Sequence, residues 1–435
     1  MVTTALALTA VAIMLVCVAA FGRLNLFSLV LVGSLPAAVG VYQMSSERGT
    51  GVAGASAYIG CLVAFAAGWA VMRTIAWRAS PRVTEQPASD RPGLNDNAVL
   101  ITVLVTAALA LYHLARAGIP LFASDIEVSR FDFTSSGLFG IPGRMFLFGT
   151  SVAWAFATAS AQHRGAVWIR DRTWWVATLS LALTSLLGGY KSGAVAFVTT
   201  LIVMGSIVAG REIRISTAIR KFWWMAGATL LYAFAVAQRY VTYQVQAGGF
   251  LSQLASRLSV VGAEPKWYAV ERQFEVPANG FWNDLTYYLI RYTGGDTSGR
   301  YSIERAVSAA MIGADPASDA WTTPVTVGAF PELILVLGVP LAVVSAALVG
   351  VGAASLYVRA PQGPARNVVM AVVGLGLSTW VSRGGLVYYI ANYAAVTVIL
   401  FGVYIAAAAL GSRIDVRSPE RPGRAFRTEP MTGLK

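Results

Sequence analysis

Three cationic side chains lie among small or polar residues at the ends of apolar segments, where a charge is costly unless it has a partner. Lys191 lies in the sequence GGYKSG, Arg239 in AQRYV and Arg383 in SRGG. Glycine lets a backbone approach a ligand closely, and the planar guanidinium of arginine matches the oxygens of a phosphate group. The pattern predicts that these cations bind a diphosphate group at the membrane surface.

A second interpretation applies to every cation at the end of an apolar segment. The long arginine side chain can extend to the lipid headgroups and have no further role. We favour this interpretation for Arg116, at the end of one apolar segment, and for Arg144, at the start of the next. For Lys191, Arg239 and Arg383, the neighbouring residues favour a role in binding.

An acidic stretch follows the helix-breaking sequence GIPLF that starts at Gly118. Asp125, Glu127 and Arg130 lie close together here and are followed by two phenylalanines. Arg130 is therefore a fourth candidate for the diphosphate site. Glu127 and Arg130 are three residues apart, so a local salt bridge on one helical face explains them equally well.

A transfer reaction at a hydroxyl group needs a group that accepts a proton, and four residues near the same face are candidates. Asp125, Glu127 and Glu332 are carboxylates, and His113 is an imidazole. Glu332 lies in the sequence FPEL, where an unpaired buried carboxylate is expensive, so pairing with an arginine is the alternative. For His113 we favour an interfacial histidine that contacts the substrate or is satisfied by its neighbours.

The elements that position these residues are membrane helices. The chain is 56% hydrophobic and 12% charged, whereas a soluble domain has roughly 25% charged residues, and its mean hydropathy is +0.61. Backbone polar groups in lipid must be satisfied within helices. The composition predicts an all-α, polytopic bundle of about 11 spans. The predicted spans are 4–21, 26–43, 52–72, 98–116, 143–162, 173–188, 193–209, 222–241, 325–356, 367–382 and 385–410.

The net charge of +12 is distributed as in a membrane protein, which argues against a nucleic-acid partner. Short arginine-rich connections alternate with connections that have few basic residues, and the former are expected in the cytoplasm. The chain is predicted to be a single membrane domain, 1–435, with a basic cytoplasmic tail at 412–435. The N-terminus and the connection 242–322 are predicted to lie outside.

The connection 242–322 is too long for an ordinary loop and interleaves aromatic residues with charges. The stretch 281–292 has apolar residues at helical spacing and is predicted to lie along the membrane surface. Most of the Trp and Tyr residues in this connection fit the aromatic belt of a membrane interface. Aromatic rings can also stack on a substrate, which makes Trp282 and, in the GGYKSG turn, Tyr190 candidates for substrate binding. Further candidates for phosphate binding in the connection are Arg257, Arg272 and Arg291.

Three short stretches resemble the bacterial oligosaccharide repeat-unit polymerases, the O-antigen polymerase-like family. The first is GIPLF with the acidic stretch and Arg130 after it; the second is the GGYKSG turn, with Lys191 in place of the family's arginine. The third is TTPVTVG, residues 322–328, followed by Phe330, Pro331 and Gly338. These sharp matches cover only short segments, whereas the similarity in topology covers most of the chain.

The resemblance implies a GT-C-like glycosyltransferase on the outer face of a bacterial plasma membrane. Such an enzyme moves a growing glycan from its polyprenyl-diphosphate carrier onto an incoming lipid-linked repeat unit. Membrane lipid and a chain-length regulator protein are candidate partners, and no cofactor or metal is expected. Fixed cations would then stabilise the diphosphate leaving group. The candidates are Arg130, Lys191, Arg239 and Arg383.

Two other functions fit the same sequence. An O-antigen ligase-like transferase shares the architecture and the donor and differs in its acceptor. A flippase or exporter of lipid-linked oligosaccharides belongs to another class and needs charged residues through the centre of the bilayer, whereas the ionisable residues here cluster at the outer ends. A structural or regulatory membrane subunit leaves the outer cations unexplained.

Overall fold

The computed structural model describes most of the apolar part of the chain. It covers residues 26–79, 93–124, 126, 129, 140–165, 168–190, 193–210, 213–237, 262–277, 280–317, 325–359 and 363–415. Throughout these residues the architecture is helical. The predicted span 4–21 and most of the tail 412–435 lie outside them.

Seven helices form the first half of the described chain, and each coincides with an apolar segment. They are α1 (Leu26–Glu47), α2 (Ala53–Ala79), α3 (Asp96–Ala117), α4 (141–163), α5 (Arg172–Leu187), α6 (Gly193–Val208) and α7 (Ile215–Ala237). α4 and α6 each contain a π-helical turn, at Met145–Gly149 and Thr200–Met204. A π turn inserts one extra residue per turn and re-aims the side chains after it.

Three shorter helices follow within the long connection, and four apolar helices complete the chain. The three are α8 (Glu264–Glu271), α9 (Phe281–Thr293) and α10 (Ile303–Ile312). The four are α11 (Ala329–Leu337), α12 (Val339–Arg359), α13 (Pro364–Ser382) and α14 (386–415), the last with a π turn at Ile390–Ala394. The predicted span 325–356 is therefore two helices, because Gly338 adopts a left-handed φ of 75° between them.

Five helices of the described chain are long and apolar enough to cross a membrane. They are Ala53–Ile75, Asp96–Phe122, Val339–Arg359, Pro364–Ser382 and Leu386–Gly411. Helices also lie within the predicted spans 26–43, 143–162, 173–188 and 193–209, and in the described part of the predicted span 222–241. The described part of the chain is thus helical, and its long apolar helices indicate a multi-pass membrane protein, while the number of eleven spans stays a prediction.

Close contact between backbones holds α2 against α12. A Cβ atom at Gly68 would lie 2.2 Å from the Ala347 carbonyl oxygen, and one at Gly350 would lie 2.1 Å from the Phe65 carbonyl oxygen. Small residues allow such approach in membrane helices, where packing rather than the hydrophobic effect drives association. α2 and α12 therefore form a closely packed pair, and the buried Phe27 of α1 stacks on Phe65 of α2.

The connections that are rich in arginine meet at one end of the bundle. Arg164 forms an ion pair with Asp96 at 2.8 Å, and the Gln162 side chain donates to the Ala209 carbonyl at 2.9 Å. Asn367 donates to the Val208 carbonyl at 3.0 Å. These contacts agree with the prediction that these connections share a face, although its identity as the cytoplasmic face stays a prediction.

The connections assigned to the opposite face also meet one another. The Ser45 hydroxyl donates to Glu271 in α8 at 2.8 Å, and Tyr268 of α8 donates to the Ala310 carbonyl in α10 at 2.9 Å. A Cβ atom at Gly189 would lie 3.4 Å from the Leu121 backbone nitrogen. We call this end of the molecule, where α8, α9 and α10 lie, the outer end.

Candidate functional site

Two buried carboxylates hold the turn between α13 and α14 at the outer end. Glu304 of α10 accepts a hydrogen bond from the Gly385 N–H at 2.7 Å. Glu332 of α11 accepts one from the Leu386 N–H at 2.7 Å. The first N–H groups of a helix have no partner within the helix, and carboxylates are favourable at this positive end. The long connection is thereby anchored to the start of a membrane helix.

The glycines beside Arg383 leave room for side chains of the protein itself. A Cβ atom at Gly384 would lie 2.2 Å from the Tyr388 ring, and one at Gly385 would lie 2.7 Å from a Glu332 carboxylate oxygen. Arg383 itself is exposed. The space that these glycines were predicted to leave for a ligand is therefore occupied by Tyr388 and Glu332.

Arg144 at the start of α4 is buried and turned toward the interior. Its guanidinium carbon lies 3.4 Å from the centroid of the Tyr292 ring. Its Nε donates to the Asn392 side-chain oxygen at 3.3 Å, and the Tyr292 hydroxyl donates to the same oxygen at 2.8 Å. Only 8% of Arg144 is exposed. The expectation that Arg144 extends to lipid headgroups is therefore wrong.

Helix α9 brings a polar face to Arg144, Glu304 and Glu332. We call these residues, together with Asn392, Tyr388 and the polar residues of α9, the cluster. Asp284, Tyr287 and Tyr288 are buried, and the Tyr288 hydroxyl donates to Glu304 at 3.2 Å. Burial, followed by repulsion from the carboxylates of Glu304 and Glu332, raises the pKa of Asp284 to about 9. The opposite side of the helix is exposed and apolar, so α9 is amphipathic with its polar side toward the protein.

Helix α8 contains a buried lysine, Lys266, which contacts the chain that leads into α11. Lys266 donates to the Thr326 carbonyl at 2.9 Å and to the Gly262 carbonyl at 3.3 Å. Burial lowers the pKa of Lys266 to about 8. The ammonium group therefore ties the chain entering α11 to the N-terminal end of α8.

Of the predicted catalytic residues, the structure describes two, one in the cluster and one beside it. Glu332 is buried and bonded to a backbone N–H, with the Glu304 carboxylate as a charged neighbour. The positive charge of Arg383 interacts electrostatically with the hydroxyl group of Tyr388. The remaining predicted catalytic residues lie outside the described residues. They are Asp125, Glu127, Arg130, Lys191 and Arg239.

The predicted substrate-binding residues are divided between the cluster and its surroundings. The hydroxyl groups of Tyr190 and Tyr388 interact electrostatically, so Tyr190 lies near the cluster. Arg291 of α9 donates to the Tyr287 hydroxyl at 3.0 Å. His113 lies beside Arg144, because its ring packs against Phe146 and would lie 3.1 Å from a Cβ atom at Gly143. Arg272 forms an ion pair with Glu275 at the end of α8, and Arg257 is not among the residues described.

Trp282 points away from the protein, because 75% of it is exposed on the outer side of α9. It therefore does not contact the cluster, and its neighbour Phe281 is exposed as well. The predicted helix at 281–292 is present as Phe281–Thr293. Its exposed apolar side is what a helix at the membrane interface requires, so that part of the prediction is consistent with the structure.

Sequence reasoning missed Arg144, Asp284, Glu304 and Asn392 as members of the site. One signal for Asp284 was available. Asp284, Tyr287, Tyr288 and Arg291 recur at helical spacing on one side of the stretch 281–293, which marks a polar face opposite the apolar one. For Arg144 the signal is weaker, since the sequence around an arginine at a helix end does not reveal whether it points inward.

The cluster has carboxylates, an arginine, an amide and several tyrosine hydroxyls in a buried setting. No protein-family model, curated protein or solved structure matches the chain. No group of His, Cys, Asp and Glu suited to holding a metal ion occurs in the described ranges. The chemistry of the cluster must therefore be argued from its own side chains. Cationic groups can bind anions, and carboxylates can exchange protons with hydroxyl groups.

Proposed function

We propose that the chain is a membrane glycosyltransferase that polymerises polyprenyl-diphosphate-linked oligosaccharide repeat units. The reaction would take place at the outer end, on the extracytoplasmic side of a bacterial plasma membrane, in a GT-C-like bundle of about 11 spans. The resemblance to the O-antigen polymerase-like family in three short stretches supports this proposal. So does the position of the polar cluster, which lies where those spans would reach the outer leaflet.

The buried Arg144 is the observation that carries the proposal. A charge in this part of a membrane protein is expensive, and such residues usually face a cavity or a partner. Arg144 is positioned by Asn392 and Tyr292, at 3.3 Å and 3.4 Å respectively. These two contacts hold the guanidinium in a fixed orientation inside the protein. A diphosphate has the charge and the oxygen atoms that a guanidinium held in this way can bind.

In this proposal, fixed cations stabilise the diphosphate as it leaves the anomeric carbon. Arg144 and Arg383 are the described candidates near the turn at the start of α14. Arg130, Lys191 and Arg239 remain candidates from the sequence. Tyr190 and the tyrosines of α9 offer rings and hydroxyls of the kind that contact sugars.

The proposal can be tested by measuring the length of the envelope glycan in cells in which the native gene is deleted and a variant copy is expressed. Arg144→Ala and Arg383→Ala are expected to shorten the envelope glycan to single repeat units, because the units would still be exported and transferred. Arg116→Ala is the matched control. Arg116 lies at the same end of the bundle, is exposed, and donates to Tyr112 in its own helix, so its loss should leave the length distribution unchanged.

Other patterns in the same experiment separate the alternatives. Loss of single repeat units together with the polymer would indicate a ligase-like transferase or a flippase rather than a polymerase. An unchanged length distribution in both arginine variants, at wild-type protein levels, would contradict the proposed role of the outer-end cations.

A further inference from the structure

Asp284 has a buried carboxylate oxygen that no described residue hydrogen-bonds. Only 3% of the residue is exposed, and its Oδ1 has no partner among the residues that the structure describes. The carboxylate also accepts a hydrogen bond from the Ile303 backbone N–H at the start of α10. Leaving a buried acceptor unpaired costs about 1–3 kcal/mol, so such an atom requires an explanation.

The two neighbouring carboxylates are already engaged by the protein. Glu304 accepts from the Gly385 N–H at 2.7 Å and from the Tyr288 hydroxyl at 3.2 Å. Glu332 accepts from the Leu386 N–H at 2.7 Å. These bonds hold backbone turns and a tyrosine in place. Among the described residues, Asp284 is thus the member of the three whose buried oxygen has no partner within the protein.

The titratable groups that interact with Asp284 come from three elements. Its own helix contributes Tyr288, α10 contributes Glu304, and α11 contributes Glu332. Among the residues described, the charges that act on Asp284 are those of Glu304 and Glu332. Two like charges oppose ionisation of the third.

We propose that Asp284 is the catalytic residue that accepts the proton of the acceptor sugar hydroxyl. The inference rests on the proposed function. The hydroxyl oxygen forms a bond to the anomeric carbon of the donor glycan, and the bond from that carbon to the diphosphate oxygen breaks. The electron pair leaves with the diphosphate, whose charge the cations stabilise. The hydroxyl proton passes to the free oxygen of Asp284.

The surroundings of Asp284 define the pH dependence of this step. Asp284 accepts a proton only in its ionised form, and its pKa is raised to about 9 by burial and by the two carboxylates. The ionised fraction, and with it the turnover rate, therefore rises as the pH increases from 7 to 9. A base with an ordinary carboxylate pKa would give no rise in this range.

Purified protein in lipid nanodiscs, supplied with lipid-linked repeat units, provides the test. Asp284→Asn keeps the size of the side chain and removes the base, so elongation should fall by about 10²–10⁴-fold, with substrate binding retained. Asp284→Glu should keep measurable elongation with a shifted pH profile. Asp296→Asn is the matched control, since Asp296 is an exposed carboxylate in the same connection, bonded to Ser298.

Each outcome decides the question. Elongation by Asp284→Asn at the wild-type rate, with the same pH profile, overturns the inference and leaves the proposed function intact. Absence of elongation by the wild-type protein on these substrates overturns both. If Asp284→Asn fails to fold, as judged by thermal unfolding, the Asp284→Glu profile decides: an unchanged profile overturns the role of Asp284.

Discussion

The guanidinium carbon of Arg144 lies 3.4 Å from the centroid of the Tyr292 ring, which joins a membrane helix to a helix of the long outer connection. A cation–π contact that is shielded from water is worth about 2 kcal/mol. We expect a double-mutant cycle with Arg144→Met and Tyr292→Leu to give a coupling energy of about 1–2 kcal/mol in thermal unfolding. Coupling within error of zero would contradict the contact.

The variant Tyr292→Phe distinguishes the contribution of the Tyr292 ring to stability from the contribution of its hydroxyl group. This variant keeps the ring below the guanidinium and removes the hydrogen bond to Asn392, which is 2.8 Å long. It should therefore lose about 1 kcal/mol, less than Tyr292→Leu. Equal losses in the two variants would show that the ring contributes nothing.

Gly350 in α12 allows the backbone of α2 to approach, whereas Gly352 in the same helix faces open space. A Cβ atom at Gly350 would lie 2.1 Å from the Phe65 carbonyl oxygen, and one at Gly352 would have no heavy atom within 4 Å. Gly350→Ala should therefore destabilise the protein by about 1–3 kcal/mol or more. Gly352→Ala should be neutral or stabilise by up to about 1 kcal/mol. Thermal unfolding in one detergent measures both, and equal shifts would contradict the packing.

Lys266 should make the stability of the protein rise with pH in the alkaline range. Its pKa is lowered from 10.5 to about 8 by burial, so the unfolded chain binds more protons than the folded one between these values. The free energy of unfolding then increases as pH rises from 8 toward 10.5, by about 1.4 kcal/mol for each pKa unit of difference. Lys266→Met should remove this rise.

The control for Lys266 is Lys221, which is exposed on α7. Thermal unfolding from pH 7 to 10, compared between wild type, Lys266→Met and Lys221→Met, isolates the contribution of the buried lysine because the other titrating groups are common to all three. If Lys266→Met and wild type keep a constant difference over this range, the lowered pKa is wrong.

Much of the helical layout follows from the sequence, because hydropathy along a helix is a local property. The predicted spans from 26–43 onward coincide with helices, and the alternation of arginine-rich connections agrees with the contacts at the two ends. The division of one predicted span at Gly338 was not predicted, because the sequence alone does not show that this glycine adopts a left-handed φ, here 75°.

The members of the site were harder to predict, because they depend on which helices of the long connection pack onto which membrane helix. Glu304 lies in an ordinary amphipathic sequence, and its contact with the Gly385 N–H joins residues far apart in the chain. Arg144 and Arg116 look alike in sequence, yet the first is buried and the second exposed. The difference arises from Tyr292 and Asn392, which no local pattern places beside Arg144.

The outward side of α9 should lie in the lipid interface, with its polar side against the protein. Phe281, Trp282 and Leu289 are exposed on one side of this helix. An exposed apolar stripe next to membrane helices is favourable in the headgroup region. A spin label at position 282 should therefore be accessible to dissolved oxygen and shielded from a water-soluble paramagnetic complex. The two native cysteines, Cys17 and Cys61, would first be replaced by serine.

A label at position 296 provides the comparison, because Asp296 is exposed in the turn after α9 and its side chain bonds Ser298. This label should respond in the opposite way, since a charged turn that projects from the helix lies in water. In nanodiscs the ratio of the accessibility to oxygen to the accessibility to the water-soluble complex should thus be higher at position 282 than at position 296. If position 282 behaves as position 296 does, α9 stands clear of the membrane, and its apolar side must be covered by something other than lipid.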